Sequence, residues 1–439
     1  MQLNEVKTVL REYGVVGAGG AGFPSYAKLS DHVDTILLNC AECEPLLKVH
    51  RQVLEEYTEE ILSALALLLK ASGAKEGIIA IKAHYTSTLE ALESMIGDYP
   101  GLSIHKLASV YPAGDEIILI KEVTGRTVSP GKLPLSVGVT VCNVESVYNV
   151  YQALKGKPVT QKYVTVAGEV AHPMTLCVPL GTTVEELLKA AGGVTVENPK
   201  YINGGPMMGR LITPRDVVTK TTNAVIVLPE NHTVIMNKNL NPSINLRRAM
   251  STCCQCRSCT DLCSRHVIGY PVEPHAVMRL LSNGGKGDPA AVEGSMFCSG
   301  CGLCETYSCP QGLSPKSMIT VLKNAARQSG YKPPEEVPLL KIKDPDLRKV
   351  SVERLTMRLG LKKYDVPAPL NHDFDTKSVK LLLSQHLGAP AVPVVAEGDT
   401  VVCGDLIAAA KEDALSVSIH ASISGTVVAV TDKYIKIKK

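Results

Sequence analysis

The 439-residue sequence has little net charge and no long apolar run. A formal net charge of +3 argues against a strongly electrostatic surface for nucleic acid or membranes. The most apolar helical stretch, Ile61 to Leu69, ends at Lys70, far short of the roughly 20 residues that span a bilayer. Lys7 and Arg11 interrupt the amino terminus, so no signal peptide is predicted. We therefore expect a soluble, cytoplasmic protein with no nucleic-acid partner and no membrane insertion.

The composition is that of a globular protein, with 45% hydrophobic and 20% charged residues. Domains usually span about 100–200 residues, so the length predicts three or four of them. The chain has fourteen cysteines. Because they are clustered and no secretory segment precedes them, they favour thiolate–metal sites in a reducing compartment over disulfides.

Eight cysteines form two runs. The first has the spacing C-x2-C-x2-C-x3-C and the second C-x2-C-x2-C-x4-C. Three thiolates two residues apart can surround one face of a 4Fe-4S cubane, and in two-cluster ferredoxins the fourth cysteine of each run belongs to the other cluster. We therefore predict two 4Fe-4S clusters, one held by Cys253, Cys256, Cys259 and Cys309, the other by Cys298, Cys301, Cys304 and Cys263.

Two departures from the ferredoxin pattern keep an alternative open. Ser264 follows the first run in place of proline, and the second run has one extra residue before Cys309. The alternative is a pair of zinc sites, although zinc motifs usually join two CxxC pairs across a longer loop. Cys254 has the wrong phase for a ligand and is interpreted as a bystander.

A glycine-rich segment, GAGGAGFP at residues 17–24, precedes Lys28. Glycines let the backbone approach a phosphate or a flat ring closely, and free N–H groups favour an anion. Apolar strands are predicted at 35–38, 77–83 and 137–142, with a helix at 55–70 between the first two. This alternation predicts a doubly wound, Rossmann-like α/β domain. Polar residues after the first strand, in NCAECEP, stand where such a sheet binds ligands.

Four motifs in this order resemble those of a known family: the GAGGAGFP…K loop, NCAECEP, YPAGDE at 111–116 and CNVES at 142–146. The family contains the flavin subunit of respiratory NADH dehydrogenase, the RnfC protein of the Rnf electron-transport complex and the propanediol-utilisation cobalamin reductases. The resemblance implies that FMN and NADH bind at Gly17, Gly19, Gly20, Gly22, Phe23, Lys28, Asn39, Glu42, Glu44, Gly114, Glu116 and Asn143. Read individually, Lys28 could be a solvated lysine and Phe23 a core residue. Ala41 replaces the aspartate of the respiratory subunit, which favours the Rnf-like branch.

The resemblance also organises the rest of the chain. It implies an FMN/NADH-binding domain at 1–157, a β-grasp (SLBB) domain at 158–235, a ferredoxin-like two-cluster domain at 244–326, and a carboxyl-terminal barrel-sandwich, lipoyl-like domain at 375–439. The β-grasp module is either a ligand-binding unit or a spacer. Residues 327–374, rich in Lys, Arg and Pro, are expected to form a linker or a docking segment.

The implied activity is NADH oxidation, with electrons passing through FMN and two 4Fe-4S clusters to an external acceptor. Because the barrel comes last, as in the cobalamin reductases, the acceptor is expected to be cobalamin or a corrinoid adenosyltransferase. This would support a diol dehydratase in a bacterial microcompartment, with a shell protein as a possible partner. The first alternative is an RnfC-type protein that exchanges electrons with ferredoxin. Two others are an electron relay that has lost nucleotide binding and a zinc-stabilised binding protein.

Overall fold

The computed structural model describes all 439 residues. Its first domain is built on a four-stranded, fully parallel sheet in the order β3-β2-β1-β5. The strands at 35–40, 76–82 and 139–143 are mostly apolar and buried, as expected for a sheet covered by helices on both faces, whereas the edge strand at 102–107 is largely part-exposed. The elements are α1 Leu3–Glu12, β1 Thr35–Cys40, α2 Val49–Glu56, α3 Thr58–Ser72, β2 Glu76–Lys82, α4 Thr86–Met95, β3 Leu102–Leu107, β4 Val110–Tyr111, α5 Glu116–Thr124, β5 Val139–Asn143 and α6 Val144–Leu154.

The three strands predicted for this domain are confirmed to within a few residues. The predicted helix at 55–70 is divided, because α2 ends at Glu56 and α3 begins at Thr58. Tyr57 lies between them with a non-helical backbone (φ −120°, ψ 41°). Asp115 and Asn143 cap α5 and α6, since each side-chain oxygen accepts backbone N–H groups of the first helical turn. Both helices therefore begin at the carboxyl edge of the sheet.

The second domain is a mixed sheet that packs against the first. β6 pairs antiparallel with β7 and parallel with β10, and β8 lies between β10 and β9. Its elements are β6 Gln161–Gly168, β7 Met174–Pro179, α7 Val184–Ala190, β8 Pro199–Asn203, β9 Arg210–Ile212, β10 Ala224–Pro229 and α8 Thr233–Lys238. Helix α8 continues past residue 235, where the sequence predicts that this domain ends.

The cysteine-rich region is helical. Short helices follow individual cysteines, and two longer ones, α12 and α15, pack against each other. The helices are α9 Pro242–Thr252, α10 Ser258–Asp261, α11 Ser264–Val267, α12 Pro274–Ser282, α13 Ala290–Met296, α14 Leu303–Thr306 and α15 Pro315–Gln328. No helix anywhere in the chain is both long enough and apolar enough to cross a membrane.

Part of the segment expected to be a linker is built into the fold. It contains β11 Val350–Ser351, α16 Val352–Arg358 and β12 Leu370–Asn371. β11 pairs antiparallel with β4 of the first domain, and β12 extends the second domain's sheet by pairing parallel with β7. Backbone pairing with two domains fixes these residues, which composition alone does not indicate.

The carboxyl-terminal domain consists of two small antiparallel sheets, ordered β13-β19-β18-β15 and β14-β16-β17. Its strands are β13 Ser378–Leu382, β14 Val392–Pro393, β15 Thr400–Val401, β16 Leu406–Ala409, β17 Ile419–His420, β18 Gly425–Val430 and β19 Tyr434–Lys438. The apolar residues of this barrel share one continuous core with the first and second domains. The 3-10 helices are Ser25–Lys28, Ile96–Asp98, Pro134–Val137, Pro345–Arg348 and Lys362–Tyr364.

Candidate active site

A cavity of about 430 Å³ opens at the carboxyl edge of the parallel sheet. Its volume lies within the range of small-molecule and cofactor sites, about 300–1,000 Å³. All twelve residues that the resemblance implies for FMN and NADH line this cavity: Gly17, Gly19, Gly20, Gly22, Phe23, Lys28, Asn39, Glu42, Glu44, Gly114, Glu116 and Asn143. Other residues also line it: Tyr111 and Ser146 of the quoted motifs, the predicted cluster ligand Cys301, and His50 and Asn223, which the sequence did not indicate.

The glycine-rich loop forms one wall of the cavity. Val16 and Pro24 form an isolated antiparallel bridge, and the Gly17 N–H donates to the Phe23 carbonyl at 2.9 Å, which closes the loop. Gly20 has a φ of +75° and nothing within 4 Å of where a Cβ would stand. Glycine therefore allows the left-handed turn, and it leaves open space on the cavity side. The loop follows α1 and not a strand.

Lys28 supplies a cation to the same wall. Its Nζ lies 3.0 Å from Glu116 Oε1 and 3.0 Å from the Val141 carbonyl, in the middle of β5. The two side chains are 27% and 39% exposed, and a partly exposed pair of this kind adds little stability. The pair therefore contributes little to the fold, and it leaves a cation at the cavity wall.

The two strand-end asparagines have different partners. Asn39 Nδ2 donates to the Gly114 carbonyl at 2.9 Å and its Oδ1 accepts from the Ala41 N–H, which fixes the loop before α5. Asn143 Oδ1 accepts the Glu145 N–H at 2.9 Å and caps α6. The amino-terminal end of this eleven-residue helix therefore lies at the cavity, and a helix amino terminus favours a phosphate.

Glu42 and His50 leave two buried polar atoms without partners. Glu42 Oε1 accepts the His50 backbone N–H at 3.0 Å, and His50 Nε2 lies 2.7 Å from Asn143 Nδ2. Glu42 Oε2 and His50 Nδ1 are buried and have no hydrogen-bond partner. Burial lowers the pKa of His50, so its imidazole is neutral near pH 7. Buried polar groups in native proteins are normally paired, and these two atoms therefore fit a site whose bound molecule supplies the missing partners.

Glu44 joins the cavity to the second domain. Its Oε2 accepts the Met207 N–H at 2.9 Å and its Oε1 accepts the Met208 N–H at 2.9 Å. Burial raises the pKa of this carboxyl, while the two backbone hydrogen bonds oppose the rise. Because both oxygens already accept hydrogen bonds, Glu44 holds the 207–208 turn against the cavity. Its sequence motif gave no sign of this contact.

The eight cysteines of the two runs line two further small cavities. Cys253, Cys256, Cys259 and Cys309 line one, where Cys254 lies as well, and Cys263, Cys298, Cys301 and Cys304 line the other. This is the crossed grouping that the ferredoxin spacing predicts. All fourteen cysteines are free thiols. Four thiolates around each cavity are a donor set that suits a 4Fe-4S cubane.

The sulfurs of each group are not gathered around one point. No three His, Cys, Asp or Glu side chains converge on a position that a single ion could occupy. Around zinc, four ligands meet at one atom, whereas in a 4Fe-4S cluster each thiolate binds a different iron. Backbone N–H groups of Gly300 and Leu313 lie 3.4 Å from the sulfurs of Cys298 and Cys309. Such hydrogen bonds tune the potential of a cluster.

The large cavity and one cysteine group are directly connected. Cys301 lines both, and the Tyr111 hydroxyl donates to the Cys301 carbonyl at 2.6 Å. Arg265 Nη2 lies 2.8 Å from both carboxylate oxygens of Asp115, and these side chains are only 14% and 11% exposed. A charge-assisted contact with so little exposure fixes the cysteine-rich region against the sheet domain.

Four domain models match consecutive parts of the chain. They are the Nuo51 FMN-binding domain at residues 10–152, the SLBB domain at 163–211, the 4Fe-4S dicluster domain at 252–314 and the RnfC barrel sandwich hybrid domain at 361–439. The chain therefore has an FMN-binding domain and a 4Fe-4S domain, as expected. Together with the mixed α/β model, these matches confirm the predicted multidomain fold class.

Curated relatives match almost the full length. The chain is 42% identical to cobalamin reductase PduS of Citrobacter freundii, over 98% of this chain and 96% of that protein. It is 41% identical to cobalamin reductase PduS of Salmonella typhimurium, over 100% and 97%. A component of the Na(+)-translocating ferredoxin:NAD(+) oxidoreductase complex of Acetobacterium woodii is 31% identical over 61% of this chain and 59% of that protein.

A solved structure shares the fold at low identity. The NAD+-reducing [NiFe]-hydrogenase in its H2-reduced state superposes with a TM-score of 0.51 at 21% identity. The match covers 77% of this chain and 64% of that chain.

Proposed function

The chain belongs to the PduS cobalamin reductase family, and on this basis we propose that it oxidises NADH and reduces corrinoid cobalt from Co(III) to Co(II) or Co(I). The observation that carries the proposal is the 42% identity to a cobalamin reductase across 98% of the chain. The convergence of the twelve implied residues on one cavity supports it. The reaction releases two electrons and one proton from each NADH.

We assign the binding of FMN and NADH to those twelve residues. The start of α6 and Lys28 would attract phosphate groups, and Glu42 and His50, each with one unpaired buried polar atom, line the same cavity. FMN, when bound, supplies the conversion of an electron pair into single electrons, the unit that an iron–sulfur cluster accepts. The protein contributes position and exclusion of water, and no catalytic acid or nucleophile is required of a side chain.

The two cysteine groups are proposed to hold two 4Fe-4S clusters. Cys301 is the member of the eight that also lines the large cavity. In the other group, Cys256 is exposed. The two cysteine groups therefore follow one another from the cavity to the solvent. This arrangement supports electron transfer to an external acceptor from the Cys253–Cys256–Cys259–Cys309 group, which the acceptor can approach.

The physiological setting is also proposed from the family. The acceptor would be cobalamin itself or a corrinoid bound to an adenosyltransferase, and the activity would reactivate a B12-dependent diol dehydratase. The protein would act in a bacterial microcompartment, where a shell protein could be a partner.

A second candidate is an RnfC-type protein that exchanges electrons between NADH and ferredoxin. The 31% identity to the Acetobacterium woodii protein over 61% of the chain and the RnfC barrel match at 361–439 favour it. The lower identity and shorter match place it second.

The test is an anaerobic assay of the full chain reconstituted with iron, sulfide and FMN. NADH is added with either hydroxocobalamin or ferredoxin, and the absorbance of each acceptor is followed. We expect protein-dependent cobalamin reduction that exceeds the rate with free FMN, and slower ferredoxin reduction. Fast ferredoxin reduction with unchanged cobalamin would favour the RnfC-type candidate.

Two variants test whether nucleotide binding is needed. Lys28→Ala and Glu44→Ala should each lower the rate at least tenfold, while Lys436→Met, an exposed barrel residue, should leave it unchanged. Wild-type rates in both cavity variants would instead support an electron relay that does not use this cavity. Metal analysis of the same samples should give iron and sulfide; zinc without either would support the binding-protein alternative.

A further inference from the structure

Residues 219–223, immediately before β10, lie along the whole glycine-rich loop. A Cβ on Gly19 would stand 2.9 Å from Asn223 Nδ2, and one on Gly22 would stand 2.7 Å from Thr221 Cγ2. At Gly14, just before the loop, a Cβ would stand 2.4 Å from Lys220 Nζ. This segment of the second domain is therefore in close contact with the loop at Gly19 and Gly22, and with Gly14 just before it. Asn223 also lines the cavity.

Lys220 is buried in an unusual way. It is 2% exposed, and its ammonium group has no carboxylate partner. Instead its Nζ donates to the Gly14 carbonyl at 2.7 Å and to the Ser418 carbonyl at 3.0 Å. Its backbone N–H donates to Gln385 Oε1 at 3.1 Å. Burying a cation without a counterion is costly, so stability alone does not explain a lysine at this position.

The two carbonyl groups belong to different domains. Gly14 precedes the glycine-rich loop of the first domain, and Ser418 lies beside strand β17 of the carboxyl-terminal barrel. The barrel contacts the loop directly as well, because the Leu387 N–H donates to the Gly22 carbonyl at 3.3 Å. The Ser416 N–H donates at 3.4 Å to the hydroxyl oxygen of Tyr26, which lies just after the loop in sequence. Three domains therefore meet at Lys220.

We propose that Lys220 is a positioning residue through which the carboxyl-terminal barrel holds the glycine-rich loop in its FMN-binding shape, and that Asn223 is a further contact of the bound cofactor. The inference rests on the proposed function, since it assumes that the cavity binds FMN. It gives the barrel a defined role in the site. The polar contacts of Lys220 transmit the position of the barrel to Gly14, and Thr221 and Asn223 limit where Gly22 and Gly19 can lie.

The experiment compares FMN binding to the full chain in the wild type, Lys220→Met, Thr221→Ala and Asn223→Ala. The dissociation constant is measured by quenching of flavin fluorescence. Amide hydrogen exchange of residues 14–23 is measured without FMN. Lys436→Met, which replaces an exposed lysine of the barrel, is the control for the change from lysine to methionine. We expect Lys220→Met and Asn223→Ala to weaken FMN binding at least tenfold. Lys220→Met should also speed exchange in 14–23 at least tenfold, with iron content and exchange in the β6–β10 sheet unchanged.

Thr221→Ala guards against a Lys220 variant that does not fold, since it removes only a methyl and a hydroxyl from a partly exposed residue. It should weaken FMN binding at least threefold. If Thr221→Ala and every folded variant bind FMN within twofold of the wild type, or exchange in 14–23 does not change in Lys220→Met, the inference is wrong while the proposed function stands. A wild-type protein that binds no FMN would overturn both.

Discussion

Crossed pairing of the two cysteine runs makes a prediction that can be counted in iron atoms. Two 4Fe-4S clusters contain about eight irons per chain. Cys309 belongs to the second run in sequence but lines the cavity of the first group, and Cys263 has the reverse relation. Cys309→Ala and Cys263→Ala should therefore each retain about four irons, and each should lose the cluster of the other run.

The different burial of the two cysteine groups identifies which cluster each variant retains. In the second group Cys263, Cys301 and Cys304 are only 7–8% exposed, whereas Cys256 of the first group is exposed. The iron that remains in Cys309→Ala should be held by the buried group, and we expect a chelator to remove it at least tenfold more slowly than the iron left in Cys263→Ala. The assay is anaerobic iron release to a coloured chelator, with paramagnetic resonance of the reduced samples.

The control is Cys254→Ala, which should keep about eight irons because this exposed cysteine has the wrong phase for a ligand. If the iron remaining in Cys309→Ala were instead the chelator-sensitive fraction, each run would bind its own cluster and the crossed grouping would be refuted.

Two further predictions concern buried charges near the site. Glu145 and Lys162 form an ion pair in which both side chains are 1% exposed. Because Glu145→Gln leaves the Lys162 cation buried without its partner, it should lower the free energy of unfolding by about 3–5 kcal/mol. In thermal unfolding, the double variant Glu145→Leu/Lys162→Met should be less destabilised than Glu145→Gln. A double variant as unstable as the sum of its singles would contradict this. Burial lowers the pKa of Lys220 from 10.5 to about 7. Between pH 7 and pH 10.5 the unfolded chain therefore binds more protons at this residue than the folded chain. The stability of the wild type relative to Lys220→Met should consequently rise from pH 7 to pH 10.5. The facing groups His386 and His420, whose pKa values burial lowers to about 4, stay neutral there. A difference that does not change with pH would show that burial does not lower the pKa of Lys220.

Much of the site could be predicted because its signals are local in sequence. The spacing within each cysteine run reflects which thiolates one cubane can reach. Asn39 and Asn143 end neighbouring parallel strands, so the rule that ligands bind at the carboxyl edge of such sheets brings them to one cavity. The glycine-rich loop signals a close backbone approach without help from the rest of the chain.

The missed residues depend on contacts between distant segments. His50 reaches Asn143 only because α2 packs beside α6, and Asn223 reaches the cavity only because the second domain folds over the loop. Glu44 was predicted at the site, but its bonds to the 207–208 turn were not, since nothing in NCAECEP indicates a partner about 160 residues away. The short strands β11 and β12 could not be predicted because two-residue strands carry no periodicity.

The most direct test of the central claim is one single-turnover measurement on Cys256→Ala, which removes a ligand of the solvent-facing cysteine group. NADH is mixed anaerobically with the reconstituted chain and hydroxocobalamin, and the flavin and corrinoid bands are followed together. We expect the flavin band to bleach at the wild-type rate while cobalamin reduction falls to the rate seen with free reduced FMN. Cobalamin reduction at the wild-type rate would contradict it, because the electrons would then reach cobalt without the exposed cluster.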